Sequence, residues 1–149
     1  MQHLLQQELK THFYDVVIHA AAVSDYSVES FDGKINSDAE VLNLKLKKNP
    51  KLINEIKTMS PKTVLIGFKL TSGADNLIIH QKVLSLFKNA KCDYVVHNDW
   101  SHRQTSNRNF TIYQMDTSNL EVILKDLQTT EELSAGLFQL IYQKKELSL

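Results

Sequence analysis

The sequence predicts a three-layer α/β domain on a mixed, mostly parallel sheet, and three observations carry that prediction. Short apolar runs at residues 16–18, 63–68 and 92–97 are bounded by polar residues, as strands buried on both faces are. Segments with apolar residues at helical spacing alternate with them. A pair of strands flanking Asp116-Thr117-Ser118-Asn119 then closes the sheet as a hairpin, which makes it mixed.

In chain order, residues 3–13 place Leu4, Leu5, Leu9 and Phe13 at helical spacing, with little cap signal at the start. Residues 14–26, YDVVIHAAAVSDY, follow. They read as a central parallel strand running into Ala20, Ala21 and Ala22 and a polar tip, Ser24-Asp25-Tyr26. Open α/β sheets bind ligands just beyond the carboxyl ends of such strands. Small residues there admit a ligand to the backbone, and the following acid can meet a hydroxyl, an amine or a metal. Residues 27–41 are polar and turn-like, punctuated by Asp32-Gly33. Residues 41–47 alternate Leu42, Leu44 and Leu46 with Asn43, Lys45 and Lys47, which predicts a half-buried strand. Asn49-Pro50 supplies an N-cap and a first helical residue for a short helix with Leu52, Ile53 and Ile56 inward. Gly67, near the end of the second apolar strand, marks a close approach of a ligand or of another part of the chain. Residues 74–89 predict a helix facing inward through Leu77, Ile78, Val83, Leu84 and Phe87. Residues 100–109 read as a polar loop. Thr129-Thr130-Glu131-Glu132 is a capping box opening a last helix with Leu133, Leu137, Leu140 and Ile141 on one face.

The whole chain, 1–149, fits one domain, with 42% hydrophobic and 23% charged residues. Lys+Arg and Asp+Glu are equal at 17 each, so no overall field favours nucleic acid or membrane. No apolar run is long enough to span a bilayer, and the N-terminus lacks the pattern of a signal peptide. A single cysteine, Cys92, in an apolar strand pattern reads as a core residue and fits a reducing, cytoplasmic address. The six histidines form no HExxH pattern and no Cys/His cluster, which speaks against a zinc site.

Five pieces in series resemble the phosphopantothenate–cysteine ligase family. They are Ala20-Ala21-Ala22-Val23-Ser24-Asp25-Tyr26, Gly33-Lys34-Ile35, Leu46-Lys47-Lys48-Asn49-Pro50, Ile66-Gly67-Phe68 and Asp93-Tyr94-Val95-Val96-His97-Asn98-Asp99. The resemblance implies a Rossmann-like, dimeric, magnesium-dependent enzyme of coenzyme A synthesis. In that family the carboxylate of 4'-phosphopantothenate attacks the α-phosphate of CTP, or of ATP in some members. The amine of L-cysteine then displaces CMP from the acyl-cytidylate. By the same resemblance His19, Ala20 and Ala21 line the nucleotide site, and Asp25 contacts the nucleotide or its metal. Lys34 acts on phosphate charge, and Pro50, Lys51, Leu52 and Ile53 present a helix N-terminus to the anion. Phe68 packs on the base, Lys82 and Lys88 are further phosphate contacts, and Asn98 orders the surrounding loop.

The chain departs from the family's pattern in places. Lys34-Ile35 is followed by Asn36-Ser37 rather than by further lysines. Gly67-Phe68 is followed by Lys69-Leu70-Thr71-Ser72 rather than by small residues and a glutamate. With glycines only at 33, 67, 73 and 136, no GxG occurs, so the family's glycine-rich βα turn and its asparagine have no counterpart. The expectation is that roughly 60–80 residues of βαβ material are supplied elsewhere. On this reading the chain is the C-terminal two-thirds of a ligase, either truncated or completed by another chain. Its partner is a second copy in a homodimer or a chain carrying the N-terminal half, and without the missing strands the sheet has an exposed edge beside residues 14–19. Two other readings compete. A short-chain dehydrogenase needs Tyr-x-x-x-Lys, which none of the five tyrosines provides. A non-catalytic nucleotide-binding partner subunit, or an inactive fragment, would keep the pocket without the chemistry.

Overall fold

The computed structural model describes residues 1–30, 32–34, 40–101, 109–117 and 119–146. The elements in order are α1 (Gln2–Thr11), β1 (Val16–His19), β2 (Tyr26–Val28), β3 (Leu46–Lys48), α2 (Ile53–Met59), β4 (Val64–Thr71) and α3 (Asn76–Ala90). β5 (Tyr94–Asp99), β6 (Phe110–Asp116), β7 (Asn119–Leu127) and α4 (Thr130–Glu146) complete the chain. Five strands form one sheet in the order β1-β4-β5-β6-β7, and β2 and β3 form a separate antiparallel pair. β1, β4 and β5 are parallel, and β6 and β7 are antiparallel additions. The expected three-layer, mostly parallel α/β architecture is therefore present.

Alternation along β4 divides the core in two. Leu65 and, on β5, Val95 face Leu9 of α1, Ile53 and Ile56 of α2 and Val83 and Phe87 of α3. Val64, Ile66, Tyr94 and Val96 face Phe110, Ile112 and the α4 residues Leu133 and Leu137. Leu65, Ile66, Val95 and Val96 are fully buried, each contributing about 1.5–3 kcal/mol of apolar burial. Gly67 lies on the α2–α3 face. A Cβ there would stand 2.9 Å from Cys92 Sγ and 3.1 Å from Ile53 Cδ1, so the close approach is by packed side chains of this chain. Cys92 is a buried core residue, its thiol pushed up to about 12 by burial.

Several expectations are corrected. The strand after Tyr14 is not central: it pairs with β4 alone among the described residues, leaving the exposed edge beside residues 14–19 expected without the family's first strands, and Ile18 is exposed. The half-buried strand at 41–47 shrinks to Leu46–Lys48, and Val41, Leu42, Leu44 and Leu46 are all exposed, because β3 pairs with the exposed β2 and lies on no core. β2 itself falls in a stretch read as loop. Asn49 does not cap α2, whose N-cap is Leu52. Instead its side-chain Nδ2 donates to Ser24 O (3.0 Å) and its backbone N–H to Asp25 O (2.9 Å). Leu4, Phe13, Leu77 and Ile78 are exposed. α1 ends at Thr11, before Phe13, and α3 packs instead through Ile79, Val83, Leu86 and Phe87. The capping box forms with one change of partner. Thr129 Oγ1 accepts from Glu132 N–H (3.1 Å), while Glu132 reaches back to Gln128 N–H (2.7 Å). Ser118 of the predicted hairpin turn, residues 35–39 after Lys34 and residues 102–108 of the predicted loop lie outside the described residues.

Candidate functional site

The carboxyl ends of β1 and β4 open into a cleft of about 480 Å³. Its wall is built from three separated stretches: His19, Ala21, Ala22, Val23, Ser24 and Asp25; Pro50, Lys51, Leu52 and Ile53; and Phe68, Lys69 and Leu70, with Leu86 of α3 behind them. Of the residues picked out in the sequence, eight lie on this wall: His19, Ala21, Asp25, Pro50, Lys51, Leu52, Ile53 and Phe68. Ala20 sits between two lining residues without joining them. Lys34, Lys82 and Lys88 are exposed and are not part of the wall, although Lys82 on α3 carries its charge towards it.

Local hydrogen bonding shapes the rim. Ser24 Oγ donates to Tyr26 O (2.6 Å) and Ser27 Oγ donates to Asn49 Oδ1 (2.8 Å). With the two Asn49 bonds, these tie the tip after β1 to the segment entering α2. The bonds fix Asp25's backbone and leave its carboxylate exposed at the cleft. The first turn before α2 closes through Asn54 N–H to Lys51 O and Glu55 N–H to Leu52 O, both 3.0 Å. Among the described residues no group of three or more His, Cys, Asp or Glu side chains could hold a metal, so Asp25 is the cleft's carboxylate rather than part of a cage.

Sequence reasoning missed Lys69. It lies on the α2–α3 face of β4, two residues beyond Gly67, and is half-buried. Burial pushes its ammonium below the ordinary lysine range; the charges of Lys51 and Lys82 push the same way, and Asp25 opposes them. A lone lysine after a strand reads as solvated; the usable signal was its register with Gly67.

A second cleft, about 450 Å³, lies across Phe68, lined also by Asn98, Asp99, Trp100, Phe110, Thr130, Leu133 and Ser134. Asn98, expected to order the loop, pairs in register with Phe110 and lines this second cleft. The ordering groups are its neighbours. Asp99 accepts from Thr71 Oγ1 (2.5 Å), Gly73 N–H (3.0 Å), Ser101 N–H (2.8 Å) and Ser101 Oγ. The Ser101 and Thr71 hydroxyls hold its carboxyl well below the usual carboxylate range. Because Thr71 gives its one proton to Asp99, the buried His97 must be the donor in the 2.9 Å contact between its Nε2 and Thr71 Oγ1. Burial, with Lys82, lowers the His97 pKa against the pull of Asp99.

An open α/β sheet with a cleft at the carboxyl ends of its parallel strands defines a class, the α/β domains that place ligand sites at that end of the sheet. The comparisons narrow it: residues 1–143 match the DNA/pantothenate metabolism flavoprotein C-terminal domain family, and the chain belongs to that family. It is 31% identical over 110 residues to the Coenzyme A biosynthesis bifunctional protein CoaBC of Methanocaldococcus jannaschii, covering 74% of this chain and 27% of that protein. To the CoaBC of Thermococcus kodakarensis it is 37% identical over 99 residues, covering 66% and 24%. The chain thus spans about a quarter of the length of these curated relatives. The DNA/pantothenate metabolism flavoprotein of Streptococcus pneumoniae superposes with a TM-score of 0.71 at 28% identity, covering 96% of this chain and 68% of that one. The C-terminal domain of a CoaBC protein shares the fold, with a TM-score of 0.67 at 20% identity, covering 98% and 61%.

Proposed function

We propose that the chain is the nucleotide-binding portion of a ligase that joins 4'-phosphopantothenate to L-cysteine through an acyl-cytidylate, in coenzyme A synthesis. The observation that carries this reading is the cleft. Three stretches of the family-like series, far apart in sequence, converge on one wall that offers lysine, a carboxylate and an aromatic ring. The relatives in Methanocaldococcus jannaschii and Thermococcus kodakarensis, both Coenzyme A biosynthesis bifunctional proteins, support it.

A carboxylate is a poor electrophile with a poor leaving group, and transfer of a nucleotidyl group to it supplies a good one. In this scheme Lys51 and Lys82 stabilise the charge that builds on the phosphates as pyrophosphate departs. Phe68 packs on the cytosine, and the small side chains of Ala21 and Ala22 let the ligand lie against the backbone. Lys34 and Lys88 are phosphate contacts on the family resemblance alone. A lone carboxylate suits magnesium, which keeps its waters and is held largely by substrate phosphates. Asp25 would be its protein contact, and the ion would neutralise phosphate charge. The second half-reaction needs an acceptor for the proton of the cysteine amine, and a water-excluding cover over the acyl-nucleotide. The working unit is a homodimer or a complex with a chain carrying the glycine-rich half, in the cytoplasm.

The test is calorimetric titration with CTP and then ATP, each with magnesium, on the wild-type chain and on Asp25→Ala, with pyrophosphate release followed after adding phosphopantothenate and cysteine. Asp25→Ala is expected to weaken nucleotide binding by about tenfold while leaving the thermal midpoint unchanged, since the side chain is exposed. Binding that is unaffected by the substitution would overturn the site. Binding without pyrophosphate release would favour the partner-subunit reading instead.

A further inference from the structure

The cleft carries more positive charge than the family-like motifs account for. Lys69 stands where the family's pattern has a small residue, and its position is set by packing: two residues before it, a Cβ at Gly67 would meet the Ile53 and Leu86 side chains, and one turn before Leu86 on α3 stands Lys82. The Lys69 ammonium therefore emerges into the gap between the start of α2, with Lys51, and the middle of α3. Among the described residues no hydrogen bond or ion pair involves its Nζ, and Asp25 is the one carboxylate whose charge acts on it. Three lysines against one carboxylate leave a local excess of positive charge in a chain whose formal net charge is zero. A half-buried ammonium without a partner is costly unless an anion arrives to pair with it.

We propose that Lys69 is a polyphosphate-binding residue, which completes with Lys51 and Lys82 a three-lysine cradle for a triphosphate chain in the cleft. This rests on the nucleotide-dependent reading above but assigns a residue outside the motifs that support it. A multiply charged phosphate chain neutralises the cradle, and its arrival raises the Lys69 pKa, so binding on the alkaline side takes up a proton.

The probe is inorganic tripolyphosphate, titrated calorimetrically at low salt in two buffers of different ionisation enthalpy, with CTP run alongside. Lys69→Gln is expected to weaken tripolyphosphate by about tenfold or more. Lys69→Arg keeps the affinity within about threefold but loses the alkaline proton uptake, because a guanidinium stays charged throughout. The exposed Lys125→Gln on β7 serves as the control and leaves binding unchanged. Wild-type affinity in Lys69→Gln, or no tripolyphosphate binding by the wild-type chain, overturns the proposal. Tripolyphosphate binding through Lys69 with no gain from a nucleoside and no pyrophosphate release would sink the ligase reading and leave the cradle standing. CTP turnover indifferent to Lys69→Gln would do the reverse.

Discussion

Asp93 shows how one side chain can hold three layers together. Its carboxylate meets Lys57 of α2 at 2.6 Å and Lys144 of α4 at 2.6 Å, and accepts the Leu65 N–H of β4 at 2.8 Å. The two outer layers are thereby pinned to the central sheet at the end opposite the cleft. Burial pushes the Asp93 pKa up, but the two lysines and the backbone N–H outweigh it, so the net shift is downward. A carboxyl with a lowered folded pKa contributes stability that is fully present above its unfolded value, about 3.9, and lost as pH falls through the folded value. Asp93→Asn leaves Lys57, only 15% exposed, facing a neutral amide. The variant is expected to lose ~3 kcal/mol at pH 7, read as a lower urea midpoint with an unchanged slope. As pH falls below about 4 the gap to the wild type should narrow, since the wild-type advantage disappears as Asp93 protonates. A gap that stays constant across that range would mean the pairs contribute nothing.

At the level of elements, the strands buried on both faces were legible and the exposed ones were not. β4 and β5 are continuous apolar runs with layers above and below, and their sequence pattern has one reading. Leu42, Leu44 and Leu46 alternate as if half-buried, yet among the described residues nothing covers them, because alternation reports a face and not what packs on it. The helices were found, with errors of phase: Leu77 and Ile78 sit in the first turn of α3, ahead of the part that packs. The candidate site was legible as an ordered series of short motifs, and eight of the expected residues share the cleft wall. Lys69 was hidden because its neighbours come from α2 and α3, which only the folded chain brings together. Gly67 connects fold to site, since its missing side chain lets Ile53, itself a lining residue, sit against the sheet. Gly67→Ala puts a methyl 2.9 Å from Cys92 Sγ and 3.1 Å from Ile53 Cδ1. The expected cost is about 1–3 kcal/mol, with the start of α2 displaced and nucleotide affinity reduced in proportion. A thermal midpoint equal to the wild type's, with full affinity, would mean that α2 is free to shift and does not set the cleft.

On the scale of the whole molecule, the core is concentrated in β4, β5, β6 and the helices packed on them, while the β2–β3 pair and the segment leading into it carry a run of exposed apolar side chains. Tyr26, Val28, Val41, Leu42, Leu44 and Leu46 are each more than half exposed, and every residue of the two short strands is open to solvent. A two-stranded pair is marginal in water on its own, and a group of exposed apolar side chains is the kind of surface that a partner would cover. Two copies meeting about a twofold axis would bury the same residues on both sides, which agrees with the dimer that the family resemblance implies. These side chains lie outside both buried clusters, so a substitution among them tests association apart from folding. At tens of micromolar the chain is therefore expected to sediment at twice its monomer mass, dissociating on dilution. Leu42→Lys with Leu44→Lys is expected to sediment as a monomer at every concentration while its thermal midpoint, extrapolated to the dissociated wild type, is unchanged. A wild-type chain that stays monomeric at high concentration would remove this surface from the dimer. A double variant that unfolds would show instead that Leu42 and Leu44 support the fold.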